Sequence, residues 1–146
     1  MENPLVMQAT RLAWAGLVPF ILTVVLGALN VAPEFMVQVF LVYSAVILSF
    51  LGGIHWGLAM SENLPRPQGA LLICMLPSIA GWAAVAFLSS MVALLVLAAV
   101  YLLWLNYDLK MVNATWYERF RKPITFVVAG THLIWFTVLA TAARTL

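Results

Sequence analysis

Charge is what this chain has least of. Seven Lys and Arg and five Asp and Glu make up 8% of its 146 residues, against about 25% in a soluble domain. That scarcity excludes a fold with a solvated surface all round. Cysteine is almost absent too: Cys74 stands alone inside an apolar run. There is therefore no disulfide framework, no CxxC and no zinc spacing, and Cys74 reads as a small packed or lipid-facing residue. No Ser–His–Asp order, P-loop, HExxH or GxSxG occurs, so no residue is assigned as catalytic and no cofactor is expected. Basic and aromatic residues do not alternate in an array that would read nucleic acid. The pI near 9.0 comes from a few clustered bases. Low-complexity segments and a transporter-like internal repeat are also missing.

What fills the chain is apolar. Hydrophobic residues make up 65% of it and the mean hydropathy is +1.06, which specifies an all-α, polytopic integral membrane protein forming one transmembrane domain over 1–146. Four stretches carry no Asp, Glu, Lys or Arg: 12–33, 35–61, 67–107 and 123–143. A span needs about 20 residues. As one helix, 67–107 would run about 60 Å, twice the hydrocarbon thickness, so it must be two spans hinged near Ser89-Ser90. Five transmembrane helices follow, over about 11–29, 35–60, 69–88, 91–107 and 123–143, behind a short polar lead at 1–10. The first is too long for a signal peptide. Pro19 and Pro77 predict kinks in the first and third helices.

The one extended polar segment is 108–122. Thr115-Trp-Tyr-Glu118 has the form of a capping box. It predicts a short interfacial helix over 116–122, with Trp116, Tyr117 and Phe120 on one arc and Glu118, Arg119, Arg121 and Lys122 on the other. Pro123 then suits the first position of helix 5. Arg11, Arg66, Lys110, Arg119, Arg121 and Lys122 fall on one side of the five-helix topology and only Arg144 on the other. The positive-inside rule places the N-terminus in the cytoplasm and the C-terminus in the periplasm of a bacterial inner membrane.

The stretch YSAVILSFLGGIHWGLAMS, residues 43–61, has two distinct sides. Ala45, Ser49, Gly53, Gly57 and Ser61 recur every four residues and form a ridge without bulk. Such ridges let helices approach closely in lipid, so this side is expected to pack on another helix of the chain or on a second copy. His55 lies on the other side, with Ser44, Leu48, Gly52 and Ala59. An ionisable residue inside a span is a functional candidate by default, which singles out His55, the deeper His132 and, at the stretch's start, Tyr43. The alternative is that each histidine is neutral and bonded to a neighbouring helix. Neither has a second ligand at local spacing, so no metal site is assigned.

Asp108 ends helix 4, where the helix dipole disfavours an anion. Lys110, Arg119, Arg121 and a protonated His55 are the cations that could offset it. We expect Asp108 to pair with an arginine of 116–122, closing a lid over a polar pocket of His55, Asp108, Arg119, Arg121 and Tyr117.

The run SFLGGIHWG, with Asp108 closing helix 4 and WYERFRKPIT opening helix 5, resembles a small bacterial domain-of-unknown-function membrane protein family related to mitochondrial transmembrane protein sixty-nine. The resemblance covers most of the chain and implies a small polytopic inner-membrane protein. It implies no activity and lends no residue a catalytic role.

Three functions compete. A homo-oligomeric channel or small-solute transporter would use the small-residue ridge and the histidines. An accessory or assembly subunit of a larger inner-membrane complex would fit the tiny loops equally well. The third is an intramembrane enzyme or binder acting on a lipid or quinone head group near His55 and Asp108. The partners expected are the lipid bilayer and either further copies or a larger membrane complex.

Overall fold

The computed structural model describes residues 3–145. Seven helices build five spans: α1 (Pro4–Ala15) with α2 (Val18–Ala28), then α3 (Pro33–Met60), α4 (Pro67–Ile73) with α5 (Leu76–Phe87), α6 (Ser90–Met111) and α7 (Thr115–Arg144). All five are long and apolar enough to cross a membrane. The chain is an all-α membrane protein, and its outward apolar side chains, such as Ile21, Val46, Phe50, Leu103 and Ile134, face the bilayer that such helices require.

The prolines decide where two spans break. A proline ring clashes with the carbonyl four residues earlier and has no N–H to offer it. Pro19 is four residues beyond Ala15 and Pro77 four beyond Ile73, which are the last residues of α1 and α4. The predicted kinks are thus true interruptions, one turn before each proline. Tyr43 Oη donates to the Gly16 carbonyl at the first break, at 2.8 Å.

Three expectations are corrected at the ends of helices. Helix begins at Pro4, capped by the Asn3 side chain, so most of the expected polar lead is helical. The segment 116–122 is not a separate interfacial helix: it forms the first turns of α7, which runs through Pro123 without a break. Nor does Thr115 act as a cap. It is the first helical residue, Ala114 precedes it as N-cap, and no side chain caps that end.

Consecutive spans pack side by side, and α7 returns to α2, closing a ring across which α3 also meets α6. The middle is filled by Phe20, Phe40, Leu48, Leu94, Leu97, Tyr101 and Trp135, each buried. Close approach is achieved at Gly27, Gly52 and Gly81. A Cβ at Gly27 would lie 2.0 Å from the Trp135 ring, one at Gly52 2.4 Å from the Cys74 carbonyl oxygen, and one at Gly81 3.1 Å from Ala45. The ridge of 43–61 is therefore only partly used inside the chain. Ala45 is packed, whereas Ser49 is exposed and a Cβ at Gly53 or Gly57 would meet nothing within 4 Å. The side of α3 that packs is the one carrying Ser44, Leu48, Gly52, His55 and Ala59, all of them buried.

Candidate functional site

Three helix ends meet at the face where α3 and α6 finish and α7 begins. His55 comes from the last turns of α3, Asp108 from the last turn of α6, and Tyr117 and Arg121 from one side of α7, four residues apart. Residues i and i+4 share a helix face, so α7 presents both to Asp108 together. The continuity of α7 through Pro123 holds that face rigid against the bundle.

Both oxygens of the Asp108 carboxylate are hydrogen-bonded. Oδ1 accepts from His55 Nε2 at 2.7 Å, Oδ2 accepts from Arg121 Nε at 2.8 Å, and Tyr117 Oη lies 3.0 Å from both oxygens. His55 and Asp108 are 0% and 1% exposed, so this is a fully desolvated ion-pair network. Such a network costs several kcal/mol of desolvation, offset only when every lone pair is used. Here both carboxylate oxygens are bonded, by three donors in all. The nitrogens opposite are not: His55 Nδ1 and Arg121 Nη2 are buried without a hydrogen-bond partner among the described residues. His55 is also walled by Trp104 and Tyr107, whose ring centroids lie 5.0 and 5.4 Å from its own.

The structure thus brings together four of the five residues expected in this pocket. Arg119 is exposed on the other side of α7 and makes no bond to Asp108. Lys122, exposed as well, pairs with Glu118 along the helix. Whereas the dipole argument predicted a cation for Asp108, it could not choose among the bases nearby. Geometry does so, because only Arg121 shares a face with Tyr117 while pointing inward.

His132 belongs to a second cluster. Its Nδ1 donates to the Val128 carbonyl at 2.7 Å, which leaves Nε2 to accept from Ser44 Oγ at 2.8 Å. Tyr101 Oη donates to the Ser44 carbonyl at 2.7 Å. Phe20, Phe40 and Tyr101 pack round the imidazole, with ring centroids 4.7 to 6.0 Å away. Both ring nitrogens are satisfied and the ring is fully buried, so His132 ties α7 to α3. Sequence reasoning placed Ser44 beside His55. The period of α3 sets both on one side, and only the tertiary fold assigns Ser44 to His132.

A groove of about 410 Å³ adjoins the Asp108 network. It opens where α1 leans on α7 and diverges from α3. Leu12 and Ala13 of α1, Leu51 and Ile54 of α3, and Phe120 and Ile124 of α7 form its apolar walls, and Tyr117 and Arg121 are its polar lining residues. Its size falls in the range of ordinary ligand sites, about 300–1,000 Å³. No signal in the sequence pointed to it, because its walls come from α1, α3 and α7, which only the tertiary fold brings together.

Comparison with known proteins adds a lineage to this geometry. The model of a family described as protein of unknown function, DUF3429, matches residues 6–138. Transmembrane protein 69 of Xenopus tropicalis is 34% identical over 127 residues, which cover 82% of this chain and 49% of that protein. The chain spans about half the length of this relative. No solved structure matches it. With the family model matching nearly end to end, the chain belongs to the DUF3429 family of membrane proteins.

Proposed function

We propose that this protein binds an amphipathic molecule of the bilayer, with a long apolar chain and a neutral carbonyl head of the quinone type, in the groove between α1, α3 and α7. The observation that carries this reading is Arg121 Nη2. This nitrogen is buried, lacks a partner among the described residues and belongs to a side chain lining a largely apolar groove. A buried unsatisfied donor costs about 1–3 kcal/mol, more for a charged group, and a ligand oxygen would recover it. The head should be neutral. Arg121 is already balanced by Asp108 at 2.8 Å, so the site offers a strong donor without a charge left over to hold an anion. The α7 helix then joins the groove to the Asp108 network, its Tyr117 and Arg121 held by Asp108, which His55 holds in turn.

A channel through one copy has less to support it, since large apolar side chains fill the ring of helices. A passage between copies, or docking into a larger complex, would use the outward Gly53 and Gly57 side. We place the Asp108 face in the cytoplasm, because six of the seven Lys and Arg lie on it, and the whole chain in a bacterial inner membrane.

Binding can be followed through Trp116, which borders the groove. A short-chain ubiquinone analogue titrated into the detergent-solubilised protein should quench tryptophan fluorescence saturably. Ala13→Phe, which fills the groove from α1 and leaves the Asp108 network alone, should weaken that binding by at least about tenfold, the cost of losing a well-filled apolar contact. Quenching that never saturates, or that Ala13→Phe leaves unchanged in a folded protein, would refute the reading.

A further inference from the structure

On the opposite side of the line where α1 meets α7 lies a second cleft, of about 540 Å³. Trp116 and Phe120, stacked with centroids 5.9 Å apart, separate it from the apolar groove and border both. Its chemistry is different. Arg11 of α1 and Arg119 of α7 both line it, together with Asn3, Thr10, Trp14 and Trp116. No carboxylate among the described residues lines it, and neither arginine has an ion pair among them.

The hydrogen-bonding groups still available there are nearly all donors. Thr10 is the exception: its Oγ1 has given its one proton to the Val6 carbonyl, at 2.8 Å, and keeps only acceptor lone pairs. Asn3 Oδ1 is taken as acceptor by the Leu5 N–H at 2.9 Å, which leaves its amide NH₂. The two guanidinium groups have donors only. Among the described residues the cleft therefore carries a charge of +2, with donors supplied by two helices, and Trp14 and Trp116 are exposed at its border. Indoles at this position sit at head-group level in a bilayer, and paired guanidinium groups match a phosphate in geometry as well as charge.

We infer that this cleft is a binding site for the phosphodiester of an anionic phospholipid, held between Arg11 and Arg119 and flanked by the two indoles. Anionic lipid is required rather than zwitterionic lipid, because a choline beside the phosphate would bring a third positive charge to the two arginines.

The test is native mass spectrometry of the intact protein in detergent, titrated with phosphatidylglycerol, with phosphatidylcholine of the same chains, and with inorganic phosphate. One molecule of phosphatidylglycerol should bind saturably and in preference to phosphatidylcholine. Arg11→Gln and Arg119→Gln should each weaken it by about fivefold, the factor expected for one basic residue at a membrane surface, and the double variant by about the product. Neither arginine touches Asp108 or lines the apolar groove, so melting temperature and quenching by the ubiquinone analogue should stay unchanged. That separates failure here from failure of the groove reading. Equal binding of the two lipids, or full phosphatidylglycerol affinity in the double variant, would overturn the site. Inorganic phosphate binding as tightly as phosphatidylglycerol would overturn its assignment to a lipid.

Discussion

His55 Nε2 and Asp108 Oδ1 lie 2.7 Å apart although 53 positions separate them in the chain, and neither is reached by solvent. Arg121 takes the other oxygen of the same carboxylate. Removing Asp108 therefore strands a buried cation and a histidine donor at once. Breaking a buried pair from one side costs about 3–5 kcal/mol. Asp108→Asn should lower the thermal midpoint in detergent accordingly, as should Arg121→Gln, which strands the carboxylate. The double variant should be much less damaged than the sum, because neither charge is then left alone. A circular-dichroism melt of the three variants checks this, and strict additivity would mean that the two residues do not act as a pair.

The second histidine should behave differently. His132 receives a hydrogen bond from Ser44 and gives one to Val128, and although Phe20 and Val128 beside it border the groove, neither His132 nor Ser44 lines it. Ser44→Ala leaves a buried imidazole nitrogen unsatisfied, for a cost of about 1–3 kcal/mol. The loss should show in the melt and not in the affinity for the ubiquinone analogue. If Ser44→Ala altered affinity at unchanged stability, His132 would belong to the binding machinery after all.

These contrasts explain what could be read from the sequence. Gaps between charges reveal spans because a bilayer penalises every buried charge, and so five spans were legible. Asp108, Tyr117 and Arg121 were legible as a group because they lie close in sequence, and His55 because its distance from the end of α3 sets its depth. Which side of α3 faces inward was not legible. Lipid and protein interior are equally apolar, so small residues on one side and Ser44, Leu48 and Gly52 on the other give no contrast of polarity. Pro19 and Pro77 break their helices while Pro123 does not, a difference that no local rule for proline separates.

Topology can be checked without a ligand. Five spans put Ala114, between α6 and α7, on the opposite side of the membrane from Arg144 at the end of α7. Reporter fusions at these two positions should give opposite signals, with Ala114 cytoplasmic if the basic residues orient the chain. Two cytoplasmic signals would mean that α7, the one span between these positions, does not cross.

The glycines give the sharpest comparison, because four substitutions of identical chemistry should divide in two. At Gly27 a Cβ would overlap the fully buried ring of Trp135, and at Gly52 it would overlap the Cys74 backbone. Neither obstacle can swing aside, the first being locked in the core and the second being main chain. Gly27→Ala and Gly52→Ala should each cost about 1–3 kcal/mol, the usual penalty of overpacking, and lower the melting midpoint. At Gly53 and Gly57 the added methyl meets nothing within 4 Å, and alanine is the better helix former by about 0.5–1 kcal/mol. Gly53→Ala and Gly57→Ala should melt no lower than the parent protein. Measured in detergent, where the protein's oligomeric state can be read alongside, a loss at Gly53 or Gly57 as large as that at Gly52 would show that the outward side of α3 is itself covered, by a second copy if the loss comes with dissociation.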